Sequence, residues 1–442
     1  MFRTTALTAA ALLALATLAP TTAEAAGETC RGVPATHVGT PDAGLVGTEG
    51  PDVVVSNGAE PVRTLGGDDL VCVTGDVNGR VDTGEGNDVV DRSQDRGKFT
   101  TTVLGTGSDQ FVGSTASDVV WAGTRPRRDL VDRDRDVIDG GPAGRRYGDY
   151  VISGEPGQPN PDEVRLAGGT PGDGGSAGTV ELHGAPTSQT VLDGTRGSEL
   201  TLETTDADRV SIDTAAGTFT RDGATGALAG FSDFLLTNRG ETRHIDFRGS
   251  DADETLLMDT TRNSAYDVRM GGGDDVIALQ TDRIHRRVNV FDGGGGRDQL
   301  GIAMVRKEVR LDLGRGRLLA GKQRNAVPAD ATRFEDAEVV AGLIELTGTT
   351  GDNDLRAYSC RTRVRALGGD DRVSPVTTLN YLGYFSCKAP RTHFEGGGGD
   401  DLLVGDGGAD VLLGGPGRDR ANGGSGRDVC SAERTTRCEV RR

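Results

Sequence analysis

Apolar residues in this chain come in runs of one to three, set between glycine and aspartate. Val89-Val90, Val276-Ile277 and Leu402-Leu403-Val404 each follow directly on an aspartate. Val180-Glu-Leu-His183, Leu200-Thr-Leu-Glu203 and Val309-Arg-Leu-Asp-Leu313 alternate apolar with polar side chains. Alternation is the two-residue period of a strand with one face buried, and short apolar runs bounded by glycine read as strands joined by turns. No segment sustains the 3.6-residue spacing of a helix. The pattern predicts an all-β chain of many short strands.

The pattern is most regular near the C-terminus, where Gly396 to Ser431 divides into four units of nine residues. Each unit has aspartate at its sixth place: Asp401, Asp410, Asp419 and Asp428. Two places later stand Leu403, Leu412, Ala421 and Cys430, small or apolar side chains suited to the single inward point of a three-residue strand. Glycine precedes each aspartate by two places, at Gly399, Gly408 and Gly417 and again at Gly426. The unit is Gly-Gly-x-Gly-x-Asp-x-apolar-x, a nonapeptide that stacks into a parallel β-roll. Glycine permits left-handed turns and close approach of main-chain carbonyls, and aspartate adds a hard, charged oxygen. Such oxygens suit Ca²⁺, which takes six to eight of them in irregular geometry. Two units complete a coil, so Asp401 is expected beside Asp419 and Asp410 beside Asp428.

This block resembles the hemolysin-type, or RTX, calcium-binding repeat family. The resemblance implies a right-handed parallel β-roll or β-solenoid, Ca²⁺ as the bound ion, and metal-site roles for Asp401, Asp410, Asp419, Asp428, Gly399, Gly408 and Gly417. Single copies elsewhere extend the candidate metal residues to Asp69, Asp88, Asp275, Asp298 and Asp371, in Leu65-Gly-Gly-Asp-Asp-Leu70, Gly84-Glu-Gly-Asn-Asp-Val89, Gly272-Gly-Asp-Asp-Val276, Phe291-Asp-Gly-Gly-Gly-Gly-Arg-Asp298 and Gly368-Gly-Asp-Asp371. A further glycine turn is Gly105-Thr-Gly-Ser-Asp109. Asp132-Arg-Asp-Arg-Asp136 fails as a helix–loop–helix calcium loop, because Val137 and Ala143 stand where Gly and Glu are needed. It reads more plainly as a charged surface than as a source of ligands for a solenoid turn.

A longer repeat encloses these turns. Val210-Ser-Ile-Asp213 matches Val309-Arg-Leu-Asp312, Gly249-Ser-Asp-Ala-Asp-Glu254 matches Gly348-Thr-Thr-Gly-Asp-Asn353, and Phe291 to Asp298 matches Phe394 to Asp401. The expected organisation is a leader over 1–26, an N-terminal region with degenerate turns over 27–175, two long-repeat copies over 176–300 and 301–394, and a nonapeptide block with a cap over 395–442. Gly154 to Ser176, rich in Pro and Gly, is the best candidate for a loop or boundary.

Composition narrows the function classes. With 69 glycines and 4% aromatic residues in 442, the chain is poor material for a large globular core, which argues against an ordinary enzyme domain. Its net charge of −18 must be neutralised for the chain to become compact. The same sign argues against nucleic acid and anionic membranes as partners, since phosphate binding rests on Lys and Arg. An apolar run from Ala6 to Leu18 and the small-x-small triplet Ala23-Glu24-Ala25 read as a secretory signal, and no later segment is long enough for a membrane span. All six cysteines follow it and fall into sequence-local pairs: Cys30 with Cys72, Cys360 with Cys387, Cys430 with Cys438.

Catalytic motifs are scarce. Gly174-Gly-Ser-Ala-Gly178 matches a nucleophile elbow only in letters, within a glycine run, and the five histidines form no zinc-protease motif. The expectation is a secreted, non-enzymatic calcium-binding solenoid. Two alternatives stay open: a β-helix enzyme acting on polysaccharide through Gly178 to Thr261, and a calcium-dependent adhesion protein with an extracellular protein or glycan partner. The N-terminal leader departs from toxins exported by an uncleaved C-terminal signal, so cytolytic activity is not carried over.

Overall fold

In a computed structural model the described residues are 27–441 apart from 96–98, 125–129, 143–147, 167–176, 239–241, 261–263, 287, 323–324, 377–386 and 388–389. The expected leader and the nucleophile-elbow letters through Ser176 lie outside them. The fold is all-β, and nearly all of it is one large, mostly parallel sheet wound as a solenoid. No helix of the described residues is long and apolar enough to cross a membrane.

Each short strand pairs not with its neighbour in sequence but with the strand one coil away. In the C-terminal block Leu402–Val404 pairs in parallel with Arg420–Asn422, and Val411–Leu413 with Val429–Ser431, a register of eighteen residues. A three-residue strand has one inward side chain and gains little from it alone, so burial comes from stacking the same point along the coils. Val54, Val71, Val90, Phe111, Ile138, Val164 and Leu192 form one such column through successive paired strands. Leu256, Ile277, Leu300, Ala337, Leu355, Val373, Leu403 and Ala421 form another. All belong to a single buried cluster, the core of the solenoid.

The ladder departs from a purely parallel roll at two places. Arg209–Asp213 turns back into Thr218–Arg221, which pairs antiparallel with Ala224–Asn238. Gln299–Asp312 turns back into Arg317–Gly321, which pairs antiparallel with Val327–Thr332. These hairpins fall on the matched segments Val210–Asp213 and Val309–Asp312, and each turn passes through a left-handed glycine, Gly217 at φ 68° or Gly316 at φ 63°. Within Gly154–Ser176 the parallel ladder continues, because Glu163–Arg165 sits between Val137–Asp139 and Val191–Asp193 with Val164 buried. The three disulfides join Cys30 to Cys72, Cys360 to Cys387 and Cys430 to Cys438, the sequence-local pairs.

Candidate metal centre

The aspartates stack where the coils turn. The main-chain N–H of Asp401 donates to Oδ1 of Asp419 at 3.0 Å, and that of Asp410 to Oδ1 of Asp428 at 2.9 Å. The same bond recurs upstream: Asp371 N–H to Asp401 Oδ1 at 2.9 Å, Asp275 to Asp298 at 2.9 Å, Asp69 to Asp88 at 2.9 Å, and Asp88 to Asp109 at 2.7 Å. One carboxylate oxygen of each accepting aspartate is thus used to join coils, whereas Asp410 Oδ2 accepts the Asp406 N–H of its own turn. A second row, formed by the preceding residues, runs in the opposite sense: Asp400 N–H donates back to Asp370 Oδ1 at 2.8 Å, and Arg418 N–H to Asp400 Oδ1 at 2.9 Å.

The other carboxylate oxygen has no partner. Oδ2 of Asp69, Asp88, Asp109, Asp275, Asp298, Asp371, Asp401, Asp419 and Asp428 is buried without a hydrogen bond, and so is Oδ1 of Asp410. Every one of these side chains belongs to a residue at most 2% exposed. A buried polar atom without a partner costs about 1–3 kcal/mol, and more when it is charged. A column of such atoms is a strong demand for a cation.

Electrostatics agree with the geometry. Burial, aided by neighbouring carboxylates, pushes Asp88 up to about 6, Asp275, Asp371 and Asp410 to about 7, Asp109 to about 8 and Asp401 to about 6. Asp69, Asp298, Asp419 and Asp428 are raised by the same cause. Without a counter-cation, burial shifts each of these carboxyls toward the protonated acid.

Glycine makes room for this arrangement in two ways. A Cβ at Gly414, the first place of its nonapeptide, would lie 2.1 Å from Asp419 Oδ2, so that glycine clears the space occupied by the unpartnered oxygen. At Gly417, with φ 151°, a Cβ would lie 1.8 Å from the carbonyl oxygen of Gly399 in the previous coil. Gly399 has the same left-handed turn at φ 129°. Gly408 departs from the expectation: its N–H donates to Asp406 Oδ1 at 2.8 Å, and it packs against Pro390 rather than against a glycine turn. The role of the first glycine was missed in the sequence, although its place five residues before aspartate in all four nonapeptides was the available signal.

Asp132 and Asp136 overturn the charged-surface reading of their segment. Both are buried, Asp136 Oδ1 accepts the Asp109 N–H at 2.9 Å, and its Oδ2 is unpartnered. The alternation with arginine hid this, because Arg133, Asp134 and Arg135 face outward, the arginines to Gln158 and Glu163, while Asp132 and Asp136 point in. Two of the histidines pair with strand carboxylates, His183 with Glu181 and Glu203 and His393 with Glu395. Among the described residues no three His, Cys, Asp or Glu side chains converge as a self-sufficient metal cluster. Main-chain carbonyls of the glycine turns are therefore needed to complete any coordination shell.

A family model for the RTX calcium-binding nonapeptide repeat matches residues 395–430, in four copies. The chain carries RTX calcium-binding repeats. No curated protein matches it. The RTX repeats span the four stacked turns ending at Asp401, Asp410, Asp419 and Asp428, and their hard-oxygen chemistry fits calcium as a structural ion. A bound calcium supplies positive charge to carboxylates that the fold has already aligned and desolvated.

Proposed function

We propose that this protein is an extracellular, non-enzymatic β-solenoid whose folding is completed by calcium. The observation that carries the reading is the column of buried, unpartnered aspartate oxygens running through and beyond the RTX repeats. Each ion removes charge repulsion between coils, so binding free energy becomes folding free energy. Disulfides and an N-terminal leader-like segment support an oxidising, exported setting. There calcium at about 10⁻³ M matches the affinity range of extracellular modules, about 10⁻⁴–10⁻³ M.

The test is thermal unfolding of the mature protein, followed by circular dichroism in calcium, in magnesium and in chelator. A rise in Tm specific to calcium supports the reading. Equal Tm in all three media overturns it, since packing and disulfides would then suffice.

A further inference from the structure

The acidic turns are of two kinds. In one, the second place is glycine or a left-handed leucine, as at Leu65 with φ 81° and Leu367 with φ 87°, and the sixth-place oxygen is unpartnered. In the other, the second place is Ser, Thr or Asp and the turn satisfies itself. Thr48 N–H donates to Asp52 Oδ2 at 2.7 Å, Ser114 N–H to Asp118 Oδ2 at 3.2 Å, Ser250 N–H to Glu254 Oε2 at 3.0 Å, Thr349 N–H to Asn353 Oδ1 at 2.7 Å, and Asp406 N–H to Asp410 Oδ2 at 2.8 Å. The second-place side chain then accepts the fourth-place N–H, as Thr48 Oγ1 does from Gly50 and Thr349 Oγ1 from Gly351. Chemistry separates the two kinds as well. Unpartnered turns have only Asp at the sixth place, whereas self-capped ones accept Glu254 or the uncharged Asn353, because no cation is needed there. Two turns are intermediate: Asp410 has one oxygen capped and one left over, and the Asp136 turn has Asp132 at its second place accepting the Asp134 N–H at 3.2 Å, yet leaves Asp136 Oδ2 unpartnered.

Self-capped turns stand at the start of runs. Asp52 opens the run Asp69, Asp88, Asp109 and Asp136, which ends at Asp162, whose Oδ2 accepts the Ser153 hydroxyl. Glu254 opens Asp275 and Asp298, closed by Glu335, which accepts the Asp298 N–H at 2.9 Å. Asn353 opens Asp371, Asp401 and Asp419, closed by Glu433, which accepts the Asp419 N–H at 2.8 Å.

We propose that calcium occupies separate runs of this kind, the three above and a shorter one from Asp410 to Asp428 closed by Glu439, and that two of them, Asp69 to Asp136 and Asp275 to Asp298, lie wholly outside the matched repeats at 395–430. The gaps beside Asp52, Glu254 and Asn353 take no ion and insulate one run from the next. This rests on the calcium reading above and gives it a map.

The test counts bound calcium on the intact mature protein by native mass spectrometry and equilibrium dialysis. Asp88→Asn and Asp275→Asn probe the upstream runs, Asp401→Asn the matched block, and Asp52→Asn a self-capped turn. Asparagine keeps an oxygen to accept the inter-coil N–H, so the ladder is preserved while the charge is removed. Expected are losses of bound calcium in the first three variants and an unchanged count in Asp52→Asn. Unchanged counts in Asp88→Asn and Asp275→Asn, with loss in Asp401→Asn, overturn the map and leave the calcium reading standing. Equal loss in Asp52→Asn also overturns it. No calcium on the wild-type protein overturns the functional reading itself. Circular dichroism in calcium identifies a variant that fails to fold, and the two upstream variants, in different runs, then serve as substitutes for one another.

Discussion

Arg92 and Asp118 form a wholly buried ion pair that joins one coil to the next. The same guanidinium pairs with Asp95 in its own turn, and the Asp118 N–H continues to Asp149 Oδ1 at 2.9 Å. Asp118 belongs to a self-capped turn, so here the chain supplies its own cation between stacked carboxylates. Burial lowers the Arg92 pKa and pushes Asp149 up to about 7, with the Arg92 charge opposing the latter. Breaking a buried pair by removing one partner costs about 3–5 kcal/mol. Arg92→Met should therefore lose stability of that order in urea, in calcium and in chelator alike. Rescue of the variant by calcium alone would show that this rung is open to an ion.

The clearance beside Asp419 gives a contrast between two glycines of the matched block. A Cβ at Gly414 would press on Asp419 Oδ2, whereas a Cβ at Gly398 would meet nothing within 4 Å. Gly414→Ala should raise the calcium concentration at the folding midpoint and cost about 1–3 kcal/mol, the usual range for overpacking. Gly398→Ala should change stability by less than about 1 kcal/mol. Calcium titrations followed by circular dichroism compare the two, and equal effects would remove the special place of the first glycine.

The raised carboxylates set the sign of the pH dependence. Asp88, Asp109, Asp275, Asp371, Asp401 and Asp410 have folded values of about 6 to 8, above the unfolded value near 3.9. Without calcium the folded state binds more protons than the unfolded one. Its stability gain is complete below the unfolded value and is lost as pH rises through 6 to 8. Their neighbours strengthen this, because Asp68 and Asp69 face Asp88, Asp132 and Asp162 face Asp109, and Asp406 and Asp428 face Asp410. In chelator, Tm should rise as pH is lowered from 8 towards 5. In calcium the increment in Tm should shrink over the same range, since protons compete for the same oxygens. A chelated protein whose Tm falls steadily through this window would contradict the assignment.

The last disulfide holds the closing residue of the third run in place. Glu433 lies between Cys430 and Cys438, whose Cα atoms are 5.9 Å apart, and its carboxylate accepts the Asp419 N–H. Cys430→Ala with Cys438→Ala should cost about 2–3 kcal/mol from a closed loop this short. The loss should appear first as faster amide exchange at Asp419 and Arg434, with the strands around Asp88 unaffected. Uniform acceleration over the whole chain would argue against local closure.

Much of this fold can be read from nine-residue spacing. The inward points Leu403 over Ala421 and Leu412 over Cys430, the eighteen-residue pairing of Asp401 with Asp419, and the three disulfides all follow from side-chain size and proximity. What did not follow depends on main-chain direction. A second-place Ser or Thr differs from Gly only by a small hydroxyl-bearing side chain, yet decides whether a turn feeds its own N–H to the acid at the sixth place. The antiparallel strands Thr218–Arg221 and Arg317–Gly321 look like any other alternating run, because period alone does not say which way a strand points. Asp132 and Asp136 were hidden by flanking arginines that balance charge in the sequence but face the other way in space.

A run with its own first and last rung is also a heritable cassette. Gly249 to Glu335 and Gly348 to Glu433 carry the same order of self-capped turn, unpartnered aspartates and terminal glutamate, with ends 98 or 99 residues apart. Because the run from Glu254 to Glu335 and the run from Asn353 to Glu433 each start and end on a satisfied rung, unequal recombination can insert or delete such a run as a unit. Length in such a lineage can change in whole steps, each bringing its own complement of ions.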